Sequence, residues 1–99
     1  MDLKQVLTAR FDASRCGDLD MTIAIDAADT MLIMRIEQST LTWLSDTASP
    51  DFVIIFPSSE CARQIIEGEL SPMDAFSAGH LRSTGYIVNV FRVLAIFGG

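Results

Sequence analysis

The 99 residues are 49% apolar before glycine is counted, with a mean hydropathy of +0.35, enough for one domain around one core. Seven Lys and Arg against thirteen Asp and Glu give a net charge of −6, and the basic residues are scattered singly, which excludes nucleic acid and anionic membrane surfaces as electrostatic partners. Cys16 and Cys61 have no C-x-x-C spacing, Met1–Gln5 does not open a secretory leader, and apolar runs such as Phe52–Pro57 are too short to span a bilayer. The expectation is one soluble cytoplasmic domain over residues 1–99, with reduced thiols and no stable membrane insertion.

Leu3, Val6, Leu7 and Phe11 share one face of a first helix, opposite Asp2, Gln5 and Asp12. Asp12 to Gly17 reads as a loop. From Asp18 the period becomes two: Leu19, Met21, Ile23 and Ile25 alternate with Asp18, Asp20, Thr22 and Asp26, which predicts a half-buried strand with one wet face. Asp26-Ala27-Ala28-Asp29 turns the chain into a second strand over Thr30–Glu37, with Leu32, Met34 and Ile36 on one side. Thr40–Leu44 is a third short strand in which Leu41 and Trp43 share a face. After a polar loop, Asp51–Phe56 is apolar on both faces and predicts a strand covered on both sides.

Pro57-Ser58-Ser59-Glu60 opens a helix, capped by Ser58 or Ser59, with the stripe Ala62, Ile65, Ile66 and Leu70 and a stop at Gly68. Ser71, Pro72 and Asp74 then form an S-x-x-[DE] helix start with proline at its first position, and Gly79 closes the short helix Pro72–Ala78. His80–Thr84 is a fifth strand. In the tail, Tyr86 to Phe97, β-branched content favours a strand, whereas length and only two wet positions, Asn89 and Arg92, favour an almost wholly buried helix.

The punctuation from Gly68 to Gly85 resembles the sterol carrier protein 2 (SCP-2) family, whose pattern runs roughly G-k-l-x-p-x-x-a-f-x-x-G-k-l-x-x-x-G. Gly68, Leu70, Pro72, Ala75, Phe76, Gly79, Leu81 and Gly85 match in register. The likeness covers roughly Asp51 to Phe97 well and the N-terminal strands loosely. It implies a helical tail and an α+β fold, with a five-stranded, mostly antiparallel sheet and helices packed on one face. It further implies a tunnel between sheet and helices, lined by Ile65, Ile66, Met73, Phe76, Leu81, Phe91 and Leu94.

Catalytic chemistry is not legible. The single histidine, His80, follows a helix stop where the family pattern has lysine, and reads as a surface residue at a strand start. Cys16, Cys61 and His80 lack metal-ligand spacing, and Cys61 reads as a small core residue. Asp18, Asp20 and Asp26 read as a solvated, edge-protecting face, with Asp29 beside them, and no glycine-rich phosphate loop exists.

What remains is an apolar surplus near the carboxyl terminus, with methionines that suit irregular acyl chains. The expected function is a non-catalytic lipid carrier without cofactor or metal, holding a sterol, fatty acyl or isoprenoid ligand. The alternative is an interaction module or an accessory factor, for example in quinone biosynthesis, whose C-terminal helix forms a homodimer or partner contact through Val90 and Phe97.

Overall fold

A computed structural model describes residues 2–98. The first helix, α1, spans Leu3–Arg10. Asp2 caps it by accepting from the Gln5 N–H at 2.8 Å, while the Gln5 side chain accepts from the Asp2 N–H at 3.1 Å. This reciprocal box fixes the helix start, and Leu3, Val6 and Leu7 enter the core together. The following loop contains a single 3-10 turn, Ala13–Arg15, capped by Asp12.

Five strands follow: β1 (Met21–Asp26), β2 (Met31–Glu37), β3 (Thr40–Leu44), β4 (Phe52–Ile55) and β5 (Arg82–Ser83). They lie in the order β3-β2-β1-β4-β5, and every pairing is antiparallel except β1 with β4. Three further helices complete the α+β fold: α2 (Ser59–Ile66), α3 (Pro72–Ser77) and α4 (Ile87–Ile96). The registers place Ile23, Ile25, Met34, Ile36, Phe52 and Ile54 on one face of the sheet, and these enter the core shared with the helices.

Three expectations about the strands change. β1 starts at Met21 rather than Asp18, and it is not half wet, since Thr22 and Ala24 are only 7% and 2% exposed. It lies between β2 and β4, so its acidic neighbours protect no edge. Asp18 instead pairs with Arg92 of α4 at 2.7 Å, Asp20 pairs with Arg35, and Asp26 accepts from the Ala28 N–H in the turn at 3.0 Å.

β4 is covered fully on one side only: Phe52 and Ile54 are buried, while Val53 and Ile55 are half-buried. The face away from the helices receives partial cover from the connection between β3 and β4. Leu44 pairs with Ile33, and Ala24, beside Ile33, pairs with Val53, so residues 45–51 cross β2 and β1 at that height. The burial of Ala24 and Ile33 on that face, with Ala48 and Pro50 half-buried, follows from this crossing. The fifth strand shrinks to two residues, and Leu81 is buried just before it.

The β2–β3 hairpin turns on Gln38 and Ser39, both left-handed at φ +50° and +57°. Two such residues define the turn that matches strand twist, although neither is the glycine or asparagine that adopts it cheaply. Ser39→Gly is therefore expected to raise stability by about 0.5–1 kcal/mol, measured as a rise of several degrees in the melting temperature.

Helices α2 and α3 end alike. Glu69 and Gly68 donate to Gln64 and Ile65, and His80 and Gly79 donate to Ala75 and Phe76, with both glycines near φ +80°. These paired bonds satisfy the last carbonyls, and this is why glycine stands at both positions. Gly85 is needed for space: a Cβ there would lie 2.9 Å from the Phe52 Cβ.

The tail is the helix α4, as the resemblance implied, but it is not buried all round. Val90, Val93, Leu94, Ile96 and Phe97 are buried, whereas Tyr86 and Val88 are 82% and 71% exposed. With Val90 and Phe97 inside the core, neither is free to form the interface expected of them.

Candidate functional site

The seven expected lining residues divide into two groups. Ile65 and Ile66 on α2, Leu81 before β5 and Leu94 on α4 belong to one buried cluster beneath α3 and α4. Met73 and Phe76 on α3 are exposed, and Phe91 on α4 is half-buried against the cluster. Phe76 and Phe91 meet edge to face at 6.3 Å between ring centroids, joining the two helices at the surface. The helical spacing placed Ile65, Ile66, Met73, Phe76, Phe91 and Leu94 on helices, whereas Leu81, expected within the fifth strand, lies just before it. It could not separate those facing inward from those over the seam, because α3 makes fewer than two turns and lies at the periphery.

Three surface pockets stand out among the described residues, and none of these three is lined by the seven. One of about 310 Å³ lies between the starts of α1 and α2 and is bordered by Leu3, Lys4, Leu32 and Arg63. Another of about 240 Å³ is bordered by Ile55, Phe56, Pro57, Gly79, His80 and Arg82. The third, about 380 Å³, lies between α1 and β3 against Lys4, Gln5, Thr8, Ala9 and Trp43. Sequence patterning did not identify this last groove, since β3 and α1 are joined there only by the fold.

The charged groups pair with one another at the surface. Arg63 binds Glu60, Glu67 and Glu69. Among the described residues, no group of three or more His, Cys, Asp or Glu side chains could hold a metal ion. His80 is exposed beyond Gly79, as its sequence position suggested. Burial pushes both free thiols, Cys16 and Cys61, above the ordinary cysteine value, with Asp12 adding to the effect at Cys16. No helix among the described residues is long and apolar enough to cross a membrane.

Several carboxyls sit below their ordinary range. Hydrogen bonds from Ser14 hold down Asp12, the Arg92 guanidinium Asp18, the Ser59 hydroxyl Asp29, and Arg63 Glu60. A carboxyl depressed in the folded state adds stability above its unfolded value, here 3.8 for the aspartates, and loses it as pH falls through the lower folded value. The melting temperature should thus hold between about pH 7 and 5 and fall below about pH 4. Asp18→Asn should make that fall shallower, measured by thermal melts across the pH range.

No family model matches this sequence, and no curated protein matches it. Solved structures do share its fold. Similar ones include the stereoselective inverting sec-alkylsulfatase Pisa1 from Pseudomonas sp., at a TM-score of 0.73 and 20% identity over 93% of this chain. This chain spans only 14% of that sulfatase. The palmitated SCP2L2 of Aedes aegypti matches at a TM-score of 0.63 and 16% identity, covering 100% of this chain and 96% of the other. The UbiJ-SCP2 ubiquinone synthesis protein matches at a TM-score of 0.67 and 16% identity, covering 96% and 81%. The fold is therefore that of the SCP-2 domain.

Proposed function

We propose that the domain is a non-catalytic carrier that shields an apolar ligand of the sterol, fatty acyl or isoprenoid class, admitted between α3 and α4. The observation that supports this is where apolar side chains remain exposed. Of the five large apolar side chains most exposed, Met73 and Phe76 lie on α3 and Tyr86 and Val88 at the start of α4, while Met31 lies apart at the start of β2. Apolar surface that is contiguous across such a seam marks a ligand or partner site. The Phe76–Phe91 pair holds the seam with only about 0.5–1.5 kcal/mol beyond the area it covers, so parting α3 from α4 is cheap beside disrupting the sheet. A ligand entering there would be held by desolvation, at about 25 cal/mol per Å² of apolar surface removed from water. The palmitated neighbour favours an acyl chain, and the ubiquinone synthesis neighbour a prenyl one.

A second reading has a specific observation behind it. The four inner residues are buried within the one core cluster, and this suits an interaction module whose seam docks a partner or a second copy. Delipidated protein is expected to take up fluorescent acyl or prenyl probes saturably, and Phe91→Asp to abolish uptake while the circular dichroism spectrum is kept. Absence of saturable uptake sinks the carrier reading. A dimer in sedimentation that Val88→Asp dissociates, with no probe bound, would establish the second.

A further inference from the structure

The groove between α1 and β3 shares no residue with the α3–α4 seam, and its chemistry is distinct. It brings together the only lysine and the only tryptophan in the chain: the Lys4 ammonium lies over the Trp43 ring, 5.5 Å from its centroid. The indole is fixed by a relay, since Trp43 Nε1 donates to Thr8 Oγ1 at 3.1 Å and that hydroxyl donates to the Lys4 carbonyl at 2.8 Å. With its single proton committed to the backbone, the Thr8 oxygen can only accept from the indole, and this sets the ring orientation. The groove beside it holds about 380 Å³ and is lined by Lys4, Gln5, Thr8, Ala9 and Trp43. That volume lies at the lower end of small-molecule sites.

Charge decides what such a groove would accept. Arg15, Arg35, Arg63 and Arg92 are each paired with a carboxylate, and Arg10 donates to a backbone carbonyl. Among the described residues the remaining two, Lys4 and Arg82, have no carboxylate partner within 4 Å, and of these two only Lys4 borders this groove, where it is a cation free to meet an anion from outside. A rigid apolar wall with one unpaired ammonium at its rim complements an alkyl chain ending in a single negative charge. We propose that this groove binds single-chain anionic amphiphiles, the chain lying along Trp43 and Ala9 and the head group on Lys4. A carboxylate and a sulfate head share this chemistry.

Because Trp43 is the only tryptophan, its emission reports the groove directly. The intact protein is titrated with decanoate, decyl sulfate and decanol, each below its micellar concentration, with circular dichroism recorded alongside. The expected result is a saturable change in Trp43 emission with one or both anions, and the head that gives it identifies the source. Lys4→Met keeps the stem and removes the charge, so anion binding should weaken about threefold to fivefold, to the level of decanol. Phe91→Asp, which disables the seam, should leave the Trp43 response unchanged, so failure of the carrier reading does not touch this one. Equal affinity in Lys4→Met, a response lost in Phe91→Asp, unfolding over the same concentrations, or no saturable change would each overturn the proposal.

Discussion

Phe97→Ala is expected to destabilise the protein by about 3–5 kcal/mol, the range for emptying a buried aromatic site. Phe97 is wholly buried and its ring lies 5.8 Å from that of Phe11, at the far end of α1. Backbone bonds converge on the same place. Arg15 donates to the Ala95 carbonyl, the Asp12 N–H to Ile96, and Arg10 Nε to Phe97 at 3.0 Å. These satisfy carbonyls that a helix end leaves open, and two of the donors are cations at the negative end of the dipole. The ring is the apolar part of one clamp joining the last helix to the first. For a domain with about 5–15 kcal/mol in total, a loss of that size should lower the urea midpoint by about 1 M or more. Phe97→Leu, which keeps most of the volume, should cost much less. A loss below about 1 kcal/mol for the alanine variant would mean that α4 is not docked as described.

Leu81→Ala is expected to cost about 2–5 kcal/mol, because Leu81 is fully buried with Ile65, Ile66 and Leu94. Phe76→Ala, at a residue 43% exposed, should cost far less despite the larger side chain. The pair also bears on the carrier reading. An apolar space opened at Leu81 would be lined by aliphatic carbon, stay dry and accept an apolar guest. Ligand at a hundredfold excess over its dissociation constant should then restore about 2.7 kcal/mol to the variant. Thermal melts of Leu81→Ala with and without a fatty acyl ligand measure this. If the ligand stabilises neither the variant nor the parent chain, the core beneath the seam is solid and the carrier reading fails.

How much of this was legible depended on whether the cause was local. The α1 stripe, the second and third strands, the starts at Ser58 and Ser71, and the stops at Gly68 and Gly79 were all readable. For the helix ends the deciding interaction lies within a few residues, a cap accepting from a nearby N–H or a glycine at positive φ, and for the stripe and the two strands the apolar period is itself the signal. The turn at Gln38–Ser39 carries no glycine or asparagine, so its left-handed geometry is imposed by the pairing of β2 with β3 and could not be foreseen. Of the candidate residues, six lie on helices as expected and Leu81 falls just outside its strand. Which side chains are exposed was not legible, because that depends on neighbours far along the chain.

Capping, glycine conformation and the alternation of apolar residues determined the order of elements without reference to the rest of the molecule. Tertiary structure decided the others. It placed β1 in the middle of the sheet, which dried both its faces and left Asp18 and Asp20 to arginines rather than to an open edge. It made a helix of the β-branched tail, since one side of that segment could be buried against α1 and the cluster around Leu81. It also set Lys4 over Trp43, 39 positions away in the chain. The physical reason is common to all three: burial and charge pairing are properties of pairs of surfaces, and a single stretch of chain contains only one of them.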